Sequence, residues 1–279
     1  MNLRDFRKRL STENLNIIGS GLRGTGSLTM IEMDVLNRSD HVFIDGYTSI
    51  FPEDFREDLE RRISKPVIYL RREEVETFSF IRDSNGEISL IVSGDPMTST
   101  THFSIIGYCK LNNIKWRIFE NASITGAVPG RTGLSSYRTG ITVSLPEMYE
   151  NFVPVSPLQK IVGNLRNMLH TILLIDLKNG RNLDIGRVHE IMEIMMDKLG
   201  FQDISGIPVL ILQRVGWQDE HIFTSTLDKM GNLKVESPYC IVVPFRPDSN
   251  EIENMRSVGI AETSIFEKFN YEKALEKLG

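Results

Sequence analysis

The stretch Ile17-Ile18-Gly19-Ser20-Gly21-Leu22-Arg23-Gly24-Thr25-Gly26-Ser27-Leu28-Thr29-Met30-Ile31-Glu32 decides the fold class. Its first two residues end an apolar strand, its glycines form a loop, and Thr29 with Glu32 has the capping-box spacing that opens a helix. The same rhythm continues downstream, with strands over 41–44, 67–70, 89–92 and 114–119 separated by helix-length segments over 53–63 and 98–111. Strands spaced by such crossovers predict a mainly parallel sheet covered on both faces.

A turn-rich stretch over 126–140, with Pro129, Gly130 and Gly133, breaks the rhythm and marks a domain junction. Beyond it the pattern predicts strands over 141–145, 171–177, 209–213, 221–224 and 240–244, with helices over 158–168 and 185–199 and after Glu262. This half reads as an α+β layer with a mixed sheet. Met192, Met195 and Met196 recur there at helical spacing and read as a packed helix face.

Length and charge narrow the classes. A chain of 279 residues has room for about two domains at roughly 150 residues each. Lys plus Arg total 32 against 37 Asp plus Glu, a net charge of −5, so the basic excess of a general nucleic-acid binder is missing. The apolar runs are strand-sized and too short to span a bilayer. Two cysteines far apart, Cys109 and Cys240, support neither a disulfide framework nor a cysteine-based zinc site. The five histidines include no H-x-x-x-H pair, so no metal site is expected. The first 14 residues are basic in part, lack an apolar stretch after them, and read as an exposed extension of a cytoplasmic protein.

Three loops carry the candidate chemistry. Gly19-Ser20-Gly21-Leu22-Arg23-Gly24 matches G-x-G-x-x-G, and Asp45 ends the next strand where a ribose-binding acid would stand. At face value this is a nicotinamide dinucleotide site. The helix signal begins only at Thr29, however, whereas that motif needs its glycines at the helix start, where amides meet a pyrophosphate. Loop glycines approaching some other ligand are the better reading. The second loop, Ser93 through His102, follows a strand end, where open α/β sheets keep their ligand crevice. Asp95 reads either as an N-cap with Pro96 at the first helical position, which the spacing favours, or as a ligand residue; the hydroxyls of Thr98-Ser99-Thr100-Thr101 are harder to explain as capping and could donate to a polar cofactor. The third loop is Asn121-Ala122-Ser123-Ile124-Thr125-Gly126, and all three are expected to meet at one sheet edge.

These loops, with Tyr47-Thr48-Ser49, Arg72-Glu73-Glu74-Val75-Glu76, the block from Gly94-Asp95-Pro96 to Thr100-Thr101-His102, and His170-Thr171 through Asp176-Leu177-Lys178, occur in an order that resembles the diphthine synthases. The resemblance spans about residues 15–245. It implies a tetrapyrrole-methylase-like fold with an extension over 1–14, an α/β methylase domain over 15–130 and a mixed α/β domain over 131–279, usually in a homodimer. S-adenosylmethionine would lie between the two domains. It implies cofactor contacts at Leu22, Asp95, Thr98, Ser123 and Ile124, and in the second domain at Ile175, Val215 and Tyr239. It also implies the substrate, a modified histidine of translation elongation factor 2 whose amino group is methylated successively, with no direct nucleic-acid or membrane partner. A precorrin-type tetrapyrrole acceptor and a non-catalytic cofactor-binding relative are the alternatives. The sequence departs from the family where an acidic loop becomes Arg23-Gly24-Thr25-Gly26-Ser27, where a small aliphatic becomes Thr98, and where a frequent histidine becomes Tyr239. No general base is evident: His102 and His170 lie in or beside apolar elements, where a histidine is usually structural.

Overall fold

In the computed structural model the described residues are 12–149, 152–178, 180–201 and 204–276. They fall into two compact units, divided between Ile124 and Thr125.

The first unit runs β1 (Thr12–Gly19), α1 (Met30–Arg38), β2 (His41–Asp45), α2 (Phe55–Ile63), β3 (Val67–Leu70), α3 (Arg72–Glu76), α4 (Ser79–Arg82), β4 (Gly86–Val92), α5 (Phe103–Leu111) and β5 (Lys115–Phe119). Its sheet has the order β3-β2-β4-β1-β5, and every pairing is parallel. β1 is buried from Leu15 to Gly19 because that part lies between β4 and β5 and is covered on both faces. Leu15 and Ile17 pack with Leu90, Ile105 and Cys109 on one side. Ile18 packs with Ile91, Leu36, Phe55 and Leu59 on the other. Each such side chain contributes about 1.5–3 kcal/mol on burial. The register sets Gly19 beside Val92 and Ile18 beside Phe119, so the loops after β1, β4 and β5 leave from the same edge.

The second unit opens with α6 (Ile124–Thr132), whose first residue is the last of the first unit, and continues with β6 (Val143–Leu145), α7 (Ser156–Arg166), β7 (Thr171–Ile175), β8 (Leu177–Lys178), β9 (Arg181–Asn182), α8 (Ile185–Leu199), β10 (Pro208–Gln213), β11 (His221–Thr226) and β12 (Tyr239–Val243). It ends with α9 (Ser249–Ser257), α10 (Ser264–Lys268) and α11 (Tyr271–Glu276). The sheet order is β11-β10-β12-β7-β6; β6 and β7 are parallel and the other pairs antiparallel, which is the mixed sheet expected. Met192, Met195 and Met196 are buried in its core.

Several boundaries differ from the sequence reading. Residues 12–14 belong to β1, where Thr12 is buried and donates to the Ile81 carbonyl at 2.7 Å, and so are not exposed extension; residues 1–11 lie outside the described residues. α5 begins at Phe103 instead of residue 98, because Asp95 forms a turn ahead of it. Residues 126–132, read as turns, are helical despite Pro129, since Val128 and Thr132 are buried and packing overrides weak propensity. The strand over 171–177 breaks at Asp176, whose amide bonds the Leu145 carbonyl at 3.0 Å. α3, α4 and α9 have no counterpart among the helices that the sequence pattern predicts, although Asp248 and Glu251 form a capping box that makes the start of α9 legible. No described helix is long and apolar enough to cross a membrane.

Candidate functional site

At the shared edge of the first unit's sheet the three loops are hydrogen-bonded to one another. Gly21 and Gly94 exchange backbone bonds, Gly21 N to Gly94 O at 3.1 Å and Gly94 N to Gly21 O at 2.9 Å. Both have positive φ, 64° and 72°, which only glycine adopts readily. Asn121 ties in the third loop: its side-chain amide donates to Gly19 O at 3.0 Å and Ser27 O at 3.1 Å, and its backbone N–H donates to Asp95 Oδ2 at 3.3 Å. Asn121 lies in the third loop but outside the candidate ligands; its position directly after a strand is the sequence signal that points to it. Between Gly24 and Ser27 the loop forms a 3-10 turn, and α1 starts only after Thr29, whose hydroxyl accepts from Glu32 N. The amides of a helix N-terminus therefore do not follow the third glycine, which removes the dinucleotide reading of the motif.

Asp95 is not a helix N-cap. Its Oδ1 accepts from Met97 N at 3.0 Å and from the Thr98 hydroxyl at 2.9 Å, closing a tight turn seven residues before α5 ends its lead-in at His102. With Asn121 that makes three donors to one carboxylate, in a position that is only partly buried. Leu22, Thr98, Ser123 and Ile124 are likewise partly exposed. A Cβ on Gly94 would approach Ser123 Cα to 3.9 Å, so the structure brings the five first-unit candidates around one turn. Ser20 Oγ in the same loop is buried with no hydrogen-bond partner among the described residues.

Asp45 and the two histidines are committed inside the protein. The Asp45 carboxylate accepts from Tyr47 N at 2.9 Å, Thr48 N at 3.0 Å, the Thr48 hydroxyl and His102 Nε2 at 2.9 Å. Burial pushes its pKa up, but the bonds from His102, Thr48 and Tyr47 outweigh that and hold it below the usual value. It is fully buried and is not a ribose ligand. His170 Nδ1 accepts from Phe245 N at 3.1 Å while Nε2 faces Glu251 Oε1 at 2.9 Å. Burial raises the Glu251 pKa, yet His170, Ser135 N and Asp248 N together bring it down to about 2.

In the second unit Ile175, Val215 and Tyr239 are mostly buried at one end of the sheet. Cys240 pairs with Leu174 and Tyr239 with Gln213, so the end of β7, the end of β10 and the start of β12 are neighbours. Asn182, which the sequence gave no means of selecting, joins them by donating to Ile175 O at 2.8 Å and accepting from Tyr239 N at 2.9 Å. The Tyr239 hydroxyl donates to Leu183 O at 2.6 Å, and burial, then Asp184, raise its pKa.

The model of the Tetrapyrrole (Corrin/Porphyrin) Methylases matches residues 14–231. A diphthine synthase of Thermoplasma acidophilum is 38% identical over 240 residues, 85% of this chain and 92% of that protein. A diphthine methyl ester synthase of Schizosaccharomyces pombe is 30% identical over 85% of this chain and 90% of its own length. A crystal structure of a diphthine synthase superposes with a TM-score of 0.78 at 25% identity, covering 92% of this chain and 100% of that one. A conserved hypothetical protein of Aeropyrum pernix K1 shares the fold at a TM-score of 0.82 and 23% identity, over 95% of this chain and 96% of that one. The chain belongs to the tetrapyrrole methylase family and, within it, to the diphthine synthases, and is a methyltransferase.

Proposed function

We propose that this enzyme uses S-adenosylmethionine to methylate, successively, the amino group of the modified histidine on elongation factor 2. The observation that carries the reading is the Asp95 turn, bound by the glycine loop and by Asn121 at one sheet edge, in a member of this family. The donor set suits the cofactor: Asp95 offers a carboxylate to a cationic ligand, Ser20 an unpaired hydroxyl, and Leu22 and Ile124 apolar surface. Leu22, Asp95, Thr98, Ser123 and Ile124 are the proposed contacts in the first unit, and Ile175, Val215 and Tyr239 in the second.

When bound, S-adenosylmethionine supplies an electrophilic methyl group on a sulfonium. The chain's part is to orient and desolvate, since alignment of nucleophile and methyl can supply most of the rate. The cross-bonded loops provide that rigidity. Neither His102 nor His170 has a ring nitrogen free to accept a proton from the substrate amine, because both nitrogens of each are engaged. In this reading Tyr239, whose hydroxyl donates to the Leu183 carbonyl, serves as apolar surface toward the cofactor and not as a proton-transfer group.

The names of the relatives favour a protein acceptor over a tetrapyrrole. We further propose a cytoplasmic homodimer; Tyr137, Ile141 and Met168, exposed at 96%, 65% and 63%, flank adjacent segments joined by the Thr139–His170 bridge and offer apolar surface for it. Calorimetry with S-adenosylmethionine and with NAD tests the cofactor, and binding of NAD alone would overturn the assignment. Mass spectrometry of elongation factor 2 carrying the modified histidine tests the acceptor. The expected products are heavier by successive methyl increments that survive mild base; a base-labile methyl identifies esterification, and no increment removes the protein-acceptor reading. Light scattering in solution reads the dimer.

A further inference from the structure

His102, at 2% exposure, directs both ring nitrogens at atoms that can only accept. Nδ1 lies 2.8 Å from the Pro96 carbonyl oxygen and Nε2 2.9 Å from Asp45 Oδ2. A carbonyl has no proton to give. Asp45 has none either, since its oxygens already accept two backbone N–H groups and the Thr48 hydroxyl, the surroundings of an ionised carboxylate. A neutral imidazole carries one N–H, and two acceptors require two. Only an imidazolium would satisfy both acceptors at once, and a buried pair satisfied at both nitrogens is the kind that is tolerated. His170 makes the contrast: it receives an N–H from Phe245 at Nδ1, so one proton, on Nε2, satisfies it.

The contact to Pro96 matters because Pro96 follows Asp95. From this geometry we propose that His102 is a positioning residue: as an imidazolium it ties the Gly94-Asp95-Pro96 turn to the end of β2 in the conformation that binds the cofactor, and loss of its proton loosens the turn and weakens binding. The inference rests on the assignment of the Asp95 turn to the cofactor made above. A neutral ring that keeps its bond to Asp45 turns a lone pair on Pro96 O; one that keeps its bond to Pro96 turns a lone pair on the carboxylate. Either way one tether becomes a repulsion. Asp45, at the end of β2, is the charged group facing the ring. Asp95 turns its own carboxylate to Met97, Thr98 and Asn121, and Arg72 of α3 lies 4.9 Å over the ring of Tyr47, whose amide binds Asp45. Binding is therefore strongest on the acid side and falls as pH rises.

The test measures S-adenosylmethionine binding to the full chain by calorimetry from about pH 5 to about pH 9, a range that includes the span over which histidine side chains change charge, without protein substrate. His102→Gln keeps one donor and loses the charge. Its Kd is expected to exceed the wild-type value about tenfold at the acid end, as befits one charge-assisted bond, and the ratio is expected to fall toward one at the alkaline end. Titration of the cofactor itself cancels in that ratio. A ratio that does not change with pH overturns the proposal. Nitrogen-detected NMR of histidine-labelled wild type reads the ring directly and does not depend on a variant's folding: both nitrogens of His102 protonated at the acid end is the expected result, and a single-tautomer neutral pattern there overturns the proposal. Asp95→Ala separates the two levels. If it binds as wild type does, the site reading fails; if it loses binding while the His102→Gln ratio is flat, only the role of His102 fails.

Discussion

At Gly19 a methyl group has nowhere to go: a Cβ built there would stand 2.5 Å from Gly94 O and 2.8 Å from the Pro96 ring. The glycine is required by the approach of another loop, which no reading of the local G-x-G-x-x-G pattern reveals. Gly19→Ala is expected to displace the Asp95 turn, with a strain of about 1–3 kcal/mol, and to weaken S-adenosylmethionine binding at least about tenfold by calorimetry. Asp95→Ala removes the acceptor of three hydrogen bonds while leaving β4 and α5 intact. It is expected to reduce cofactor affinity by a similar or larger factor with an unchanged far-ultraviolet dichroism spectrum. Unaltered affinity in that variant would reduce the aspartate to a turn former. Asp95 was legible as a candidate because a Gly-Asp-Pro sequence after an apolar strand is compact evidence of a loop at a sheet edge. Its choice between cap and ligand was not legible, because that depends on where α5 starts.

Among the elements, α9 shows how one residue can serve several partners. Glu251 caps its own helix by accepting from Asp248 N at 3.0 Å, receives Ser135 N and His170 Nε2 at 2.9 Å each, and pairs with Arg138. Its side chain is almost fully buried, and its carboxyl is held at about 2 against an ordinary value of 4.5. A carboxyl depressed by folding stabilises fully above its unfolded value and loses that contribution as pH falls toward the folded one. Chemical denaturation is thus expected to show stability falling from about pH 5 to about pH 3, with a smaller fall in Glu251→Gln. At neutral pH that variant is expected to lose roughly 3–5 kcal/mol, since it leaves Arg138 and His170 without their buried anion. An equally steep acid limb in the variant would assign the loss to other carboxylates. α1 starts at a capping box of Thr29 and Glu32, and Thr29→Ala is expected to cost about 1 kcal/mol in the same assay.

On the scale of the whole molecule, each unit has its own core and one buried thiol, Cys109 in the first and Cys240 in the second. Burial pushes their pKa values up to about 11 and about 12, so little thiolate forms near neutral pH. Neither is expected to react with a thiol reagent in the native protein, and each is expected to label as its own unit unfolds in urea, which mass spectrometry of the labelled peptides can follow. Native labelling at the rate of a free thiol would contradict the packing. The sequence by itself determined what depends on near neighbours: the capping box at Thr29, the helix over residues 185–199, the parallel rhythm of the first sheet and the mixed second one. These follow from side chains three or four positions apart, or from the succession of strand-length and helix-length segments along the chain. The tertiary structure alone decided the partners of Asp45 and His102, 57 positions apart, of Asn121 and Gly19, 102 apart, and of His170 and Glu251, 81 apart. Those pairs exist because strand order places distant loops at one edge, and a hydrogen bond forms wherever that order brings a donor to an acceptor, whatever their separation in the chain.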